Sequence, residues 1–250
     1  MTRRFFLATL LVTASATSFA ADVAVAVAAN FAAPMKQIAE AFEKSTGHRA
    51  RVAVGSTGRF YAQIRNGAPY HLLLAADEET PARLEREGLG VAGSRFTYAI
   101  GRLVLWSARP GVVDDGGQVL RQGSFDRLAI ADPKLAPYGA AAIAAMDKLG
   151  VLERLRPRLV QGESIGQAFQ FVATGNAALG FVALSQLKAE GAAATGKGSS
   201  WLVPSQLHPP LRQQAIVLLP GRDNPAAREL ARFLRSDAAR TIIRAHGYEL

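Results

Sequence analysis

The stretch Val23-Ala24-Val25-Ala26-Val27-Ala28-Ala29-Asn30-Phe31 opens as β-branched residues alternating with alanine, then changes period. From Phe31 the apolar positions Met35, Ile38, Ala39 and Phe42 recur at the spacing of one helix face, and Gly47 stops the helix. A strand that turns at Ala28-Ala29-Asn30 into a helix is the first part of a βαβ unit. The rest of the chain repeats the alternation. Arg51 to Val54 is a second short strand, Gly55-Ser56-Thr57-Gly58 a turn, and about Arg59 to Arg65 a helix. Leu72 to Ala75 is a buried strand, and Thr80-Pro81 opens a helix closed by Gly88.

Phe96 to Ser107 is long and apolar enough for a strand that crosses between two lobes. Beyond it come a strand at Leu128 to Ala131 and a small-residue helix from Ala140 to Lys148, ended by Gly150. Ser164 caps a helix with Ile165, Ala168, Phe169 and Val172 on one face, and Leu179 to Ala183 is another strand. Gln214 to Leu219 returns the chain, and helices begin at Asn224-Pro225 and Ser236. The sequence shows no internal repeat, and Gly191 to Ser200 is a small-residue loop. The expected class is α/β with two lobes, each a mostly parallel sheet flanked by helices, around a cleft. Residues 21–98 plus 213–250 form the first lobe and 99–212 the second.

Residues 1–20 read as a signal peptide. Arg3 and Arg4 precede the apolar run Phe5 to Ala16, and Ser18-Phe19-Ala20 places cleavage after Ala20. A membrane anchor is the rival reading, but the run is short, interrupted by Thr and Ser, and ends in a cleavage pattern. The chain has no cysteine, which excludes a lipoprotein anchor, disulfides and thiol chemistry. A freely diffusing exported protein fits a Gram-negative periplasm. The net charge of +9 is dispersed; its densest mature cluster, Arg154, Arg156 and Arg158, sits beside Glu153. Nucleic acid is therefore not the expected partner. A diffuse field that gathers anions and a merely solubilising surface remain equal readings of the charge.

In open parallel sheets, ligands bind beyond the carboxyl ends of the strands, where helix N-termini point. Four strand-to-helix junctions carry small or hydroxylic residues: Ala28-Ala29-Asn30-Phe31, Gly55-Ser56-Thr57-Gly58, Ala136-Pro137-Tyr138-Gly139 and Glu163-Ser164-Ile165-Gly166. Each brings free backbone N–H groups and a helix dipole. Asn30, Thr57 and Tyr138 add side-chain donors, and glycines at 55, 58, 139 and 166 let backbone approach a ligand. Singly, Asn30, Ser56, Thr57 and Ser164 are adequate helix caps and Tyr138 a packing residue. Together they form a donor set with no Lys or Arg inside it, Arg59 lying just outside. Such a set suits molybdate, tungstate or sulfate, dianions whose oxygens only accept. Hydrogen phosphate would want a carboxylate, and ferric or zinc ions would want Asp, Glu, His or Tyr clusters. Donors to a charged group contribute about 1.5–3 kcal/mol each, so a handful reaches the roughly −12 kcal/mol of nanomolar binding.

The chain also resembles the molybdate-binding proteins of molybdate ABC transporters along essentially its whole mature length. The carrying residues are Val25 to Phe31; Gly55-Ser56-Thr57-Gly58 with Ala62-Gln63-Ile64 and Asn66-Gly67-Ala68-Pro69; Ala76-Asp77; Phe96 to Gly101; Ala131-Asp132-Pro133 with Ala136-Pro137-Tyr138-Gly139; Gly180-Phe181-Val182; and Gly247-Tyr248. The resemblance implies the type II periplasmic binding-protein fold, no cofactor, a molybdate or tungstate ligand, and a membrane ABC permease as partner of a monomer. By position it implies that Asn30 with the Ala29 backbone, Thr57, Tyr138 and the N–H of Ile165 hold the oxyanion, with Ser56 and Ser164 in support. Where one branch of the family has a ligand-reaching tyrosine this chain has Ala183, and Tyr138 supplies a hydroxyl from the other wall. Thr57 stands where serine is common, and the choice between molybdate and tungstate stays open.

Asp77 and Asp132 read as turn or cap residues, and His48, His71, His208 and His246 lack metal-ligand spacing. No nucleophile elbow, zinc motif or phosphate loop supports an enzyme, so a secreted hydrolase is a distant alternative and a sulfate carrier a nearer one. The expected mechanism is hinge closure over the ligand. Asn30→Ala and Thr57→Ala are expected to weaken binding with little loss of stability.

Overall fold

The computed structural model describes residues 20–189 and 198–250. Apart from Ala20, the signal-peptide reading lies outside the described residues, as does most of the Gly191 to Ser200 loop.

From the amino end run β1 (Asp22–Ala28), α1 (Ala32–Thr46), β2 (Arg49–Gly55), α2 (Thr57–Arg65), β3 (Leu72–Leu74), α3 (Glu79–Arg86) and β4 (Phe96–Gly101). The middle holds β5 (Leu103–Ser107), α4 (Val119–Gln122), β6 (Leu128–Ala131), α5 (Pro137–Lys148), α6 (Leu152–Leu155), β7 (Leu159–Gly162), α7 (Ile165–Ala173), β8 (Leu179–Ala183), α8 (Leu184–Ala189) and β9 (Ser199–Leu202). The chain closes with β10 (Leu211–Val217), α9 (Pro225–Phe233) and α10 (Asp237–Ala245).

Two five-stranded sheets result, ordered β2-β1-β3-β10-β4 and β7-β6-β8-β5-β9. The βαβ units supply the parallel core of each, β2-β1-β3 in the first and β7-β6-β8 in the second. The remaining pairings are antiparallel, so both sheets are mixed rather than mainly parallel. The reason lies in the crossings. β4 pairs in the first sheet as far as Gly101 and β5 in the second from Leu103, so the chain changes sheets at Arg102. It returns between β9 and β10, and one of these strands in each sheet, β10 in the first and β5 in the second, runs against the parallel core.

Helices cover both faces of the first sheet. Phe31 and the α1 residues Met35, Ile38 and Phe42, all fully buried, pack with Leu230 and Ile243 of the closing helices. Phe60, Ile64 and Leu84 pack on the other face against Leu73 and Ile216. A fully buried side chain of this size contributes about 1.5–3 kcal/mol, which outweighs the helix propensities of the sequence. The second sheet has its own core, in which Trp106 stacks on Phe169 at 4.9 Å. The caps read at Ser164, Asn224 and Ser236 are present, each side chain accepting from the N–H three residues on. At α3 the capping oxygen belongs to Asp77, which accepts from the N–H of Thr80.

Candidate functional site

The four junctions meet. The loops after β1 and β2 from one sheet and those before α5 and α7 from the other enclose a crevice lined by Ala29, Asn30, Ser56, Thr57, Tyr138 and Ile165. Its volume is about 10 Å³, near the room for one water. No Lys, Arg, Asp, Glu or His lines it among the described residues. Ser164 stands outside, in a neighbouring groove, with its hydroxyl accepting from Gln167 as a cap.

The sheets close tightly here. Gly58 N–H donates to the Leu135 carbonyl across the gap at 2.8 Å, and a Cβ on Gly58 would lie 3.0 Å from that oxygen. Asn30's carbonyl accepts from Ser185 of α8, next to the second sheet, at 2.7 Å and from Tyr248 at 2.7 Å. At the rim, Arg59 of α2 pairs with Glu163 of the opposite lobe, both side chains largely exposed.

Donors at the crevice fall into two groups. The Asn30 carboxamide is engaged within the protein, Nδ2 donating to Gln213 Oε1 at 2.8 Å and to Tyr248 Oη at 3.0 Å. The hydroxyls of Ser56, Thr57 and Tyr138 are different. Ser56 Oγ is the single buried side-chain polar atom without a partner among the described residues. Thr57 Oγ1 accepts from the Ala76 N–H at 3.0 Å, and Tyr138 Oη accepts from Gln213 Nε2 at 3.2 Å. Among the described residues neither gives its own proton to an acceptor. To these add the N–H groups of Thr57 and Ile165, at helix starts where the backbone has no intrahelical partner to offer. Burial pushes the Tyr138 phenol well above its ordinary pKa, so it remains a protonated donor across the physiological range. Tyr98 and Tyr248 are raised by the same cause.

Neither Asp77 nor Asp132 lines the crevice. Both Asp77 oxygens hold Thr80, and burial raises its pKa. Asp132 Oδ1 accepts from the Lys134 N–H, fixing the turn. No group of three or more metal-ligating side chains occurs among the described residues. Such a site can hold a group that only accepts hydrogen bonds.

Sequence reading missed the frame behind the loops. Gln213 takes hydrogen bonds from Asn30 and Tyr98, Ser185 and Tyr248 hold the Asn30 carbonyl, and Gln186 donates to the Ile165 carbonyl at 3.1 Å. The available signal was a glutamine at an inward position of the strand, in step with Leu211 and flanked by outward-facing Arg212 and Gln214.

Residues 23–249 match the family described as bacterial extracellular solute-binding protein. The chain is 58% identical to the molybdate-binding protein of Azotobacter vinelandii over 231 residues, covering 92% of this chain and 91% of that one. It is 51% identical to the molybdate-binding protein of Rhodobacter capsulatus over 92% of this chain and 88% of that one. Among solved structures, the periplasmic molybdate-binding protein of Azotobacter vinelandii superposes with a TM-score of 0.88 at 43% identity, covering 91% of this chain and 99% of that one. This chain belongs to the bacterial extracellular solute-binding proteins and, within them, to the family of the molybdate-binding proteins.

Proposed function

We propose that the protein captures molybdate or tungstate in the periplasm and delivers it to the membrane permease of an ABC importer. It acts as a monomeric carrier, without catalysis or cofactor, after export and removal of a leader near Ala20. One observation carries the reading: the hydroxyls of Ser56, Thr57 and Tyr138 converge on one crevice with protons that no acceptor among the described residues takes. A fully deprotonated tetrahedral dianion supplies those acceptors, and four neutral loops hold it without a counter-charge.

In this reading Ala29 and Asn30 present backbone N–H groups. Ser56 and Thr57 present hydroxyls, with the Thr57 N–H beside them. Tyr138 and Ile165 complete the shell from the second lobe, and Ser164 shapes the start of α7. Two bodies, one on each sheet, move about hinges where β4 passes into β5 and β9 into β10, a few residues from the bounds 98/99 and 212/213 read in the sequence. A crevice with room for one water is too small for four oxygens around a metal. Entry therefore requires the lobes to part, and the bound state holds them farther apart than the Gly58–Leu135 and Ser185–Asn30 bonds do here.

The test is a melting panel with molybdate, tungstate, sulfate, phosphate and chromate. Ligand at about a hundred times Kd stabilises by about 2.7 kcal/mol, several degrees for a protein of this size. Molybdate and tungstate are expected to produce that shift and phosphate none. A phosphate shift equal to that of molybdate would refute the reading.

A further inference from the structure

Gln213 is fully buried, at the point where β10 slips register against β4. Oε1 accepts from Asn30 Nδ2 and lies 3.0 Å from Tyr98 Oη, whose single proton also faces the Ala75 carbonyl at 3.0 Å, while Nε2 donates to Tyr138 Oη. The direction of these bonds follows from one atom that can only accept. Ser185 donates to the Asn30 main-chain carbonyl, and Tyr248 gives its single proton to that carbonyl or to Ser185 Oγ at 3.0 Å, which leaves the Tyr248 oxygen as an acceptor toward the Asn30 side chain. Asn30 must then turn its amide N–H groups toward Tyr248, and the same nitrogen faces Gln213. Asn30 thereby favours the orientation in which Gln213 presents its oxygen to Asn30 and its nitrogen to Tyr138.

We infer that Gln213 is a positioning residue that sets the polarity of the oxyanion site: by donating to Tyr138 Oη it leaves the phenol's proton free for an acceptor-only ligand. This rests on the oxyanion-binding reading and adds to it the device that discriminates against protonated oxyanions. With the phenol's own proton turned to the crevice, an incoming P–O–H meets a donor and gains no bond. Gly101, where the chain is about to cross between sheets, makes the arrangement possible. A Cβ there would lie 2.1 Å from Tyr138 Oη and 2.6 Å from Gln213 Nε2.

Gln213→Glu keeps the shape and reverses the polarity. The carboxylate accepts the Tyr138 proton, so the phenol shows its oxygen to the ligand. Calorimetry with molybdate and with inorganic phosphate, in slightly acidic buffer where phosphate keeps a proton, reads the result. Molybdate affinity is expected to fall roughly a hundredfold, and the molybdate-to-phosphate affinity ratio at least about tenfold. A merely structural lesion would weaken both ligands together. Gly101→Ala, which displaces the pair without changing charge, is expected to weaken molybdate in the same direction. Melting of the ligand-free Tyr138→Phe, Gln213→Leu and double variants checks the bond itself, the double losing less than the singles added together. If the parent binds molybdate and Gln213→Glu keeps both its affinity and its ratio, or if the two single losses simply add, the inference is overturned alone. A parent that takes up no oxyanion overturns the functional reading and this inference with it.

Discussion

Ser56 and Thr57 are adjacent hydroxyls with different obligations, and substitutions separate them. Ser56 Oγ has no partner among the described residues, so Ser56→Ala removes no hydrogen bond seen in the fold. Its molybdate Kd is expected to rise about tenfold to a hundredfold, the loss of one bond to a charged group, while the melting temperature stays within about a degree. Thr57 Oγ1 accepts from Ala76, so Thr57→Val should cost both affinity and about 1 kcal/mol of stability. Asn30 departs further from expectation. Its carboxamide braces Gln213 and Tyr248 in the buried frame, so Asn30→Ala leaves those groups without a donor and should lower stability by about 1–3 kcal/mol as well as weaken binding. The loss confined to binding that sequence suggests does not fit that geometry, because a neighbour 183 residues away cannot be read from a local motif. The buried phenols add a pH dependence. Tyr98, Tyr138 and Tyr248 have folded pKa values raised above the unfolded value near 10, so the unfolded chain releases these protons first. Stability contributed by the neutral phenols is full below about pH 10 and is lost as pH rises above it. Alkaline melting curves should fall less steeply for Tyr138→Phe than for the parent.

At the scale of elements, the two sheets share one plan that the sequence conceals. β2-β1-β3 and β7-β6-β8 are corresponding parallel cores, and the four site loops leave the corresponding strands β1, β2, β6 and β7. The Asn30 loop thus answers the Tyr138 loop, and the Ser56-Thr57 loop answers the Ser164-Ile165 loop. β1, α1, β2 and the four junctions were legible because a change of period from two to about 3.6 sits on a Gly, Ser or Asn signal. β9 and α8 were not, being short segments without a clear period. Gln213 escaped because the apolar run of β10 was counted from Gln214; a polar side chain inside a strand breaks the pattern that reveals the strand. Ser164 shows what a local signal does deliver. It caps α7, and Ser164→Ala should lower stability by about 1 kcal/mol and loosen the helix start that presents the Ile165 N–H, with a smaller effect on affinity than Ser56→Ala.

The whole molecule behaves as two cores closing on a neutral crevice, with its charges kept at the rim. Arg59 and Glu163 join the lobes there, but exposed pairs of this kind are worth about 0–1 kcal/mol and are screened by salt. Arg59→Ala should change the molybdate Kd less than about threefold, and the difference should vanish in high salt. The positive field of the chain then affects how fast an anion arrives more than how tightly it is held. In the proposed function, holding falls to neutral N–H and O–H groups, which neither gain nor lose protons when a deprotonated dianion enters. The most direct test is molybdate titration calorimetry in buffers of different ionisation enthalpy, between roughly pH 6 and 9. Tight binding with the same heat in every buffer and a Kd flat across that range is the expected result. Uptake or release of about one proton per molybdate would place an ionising side chain against the ligand and contradict the account.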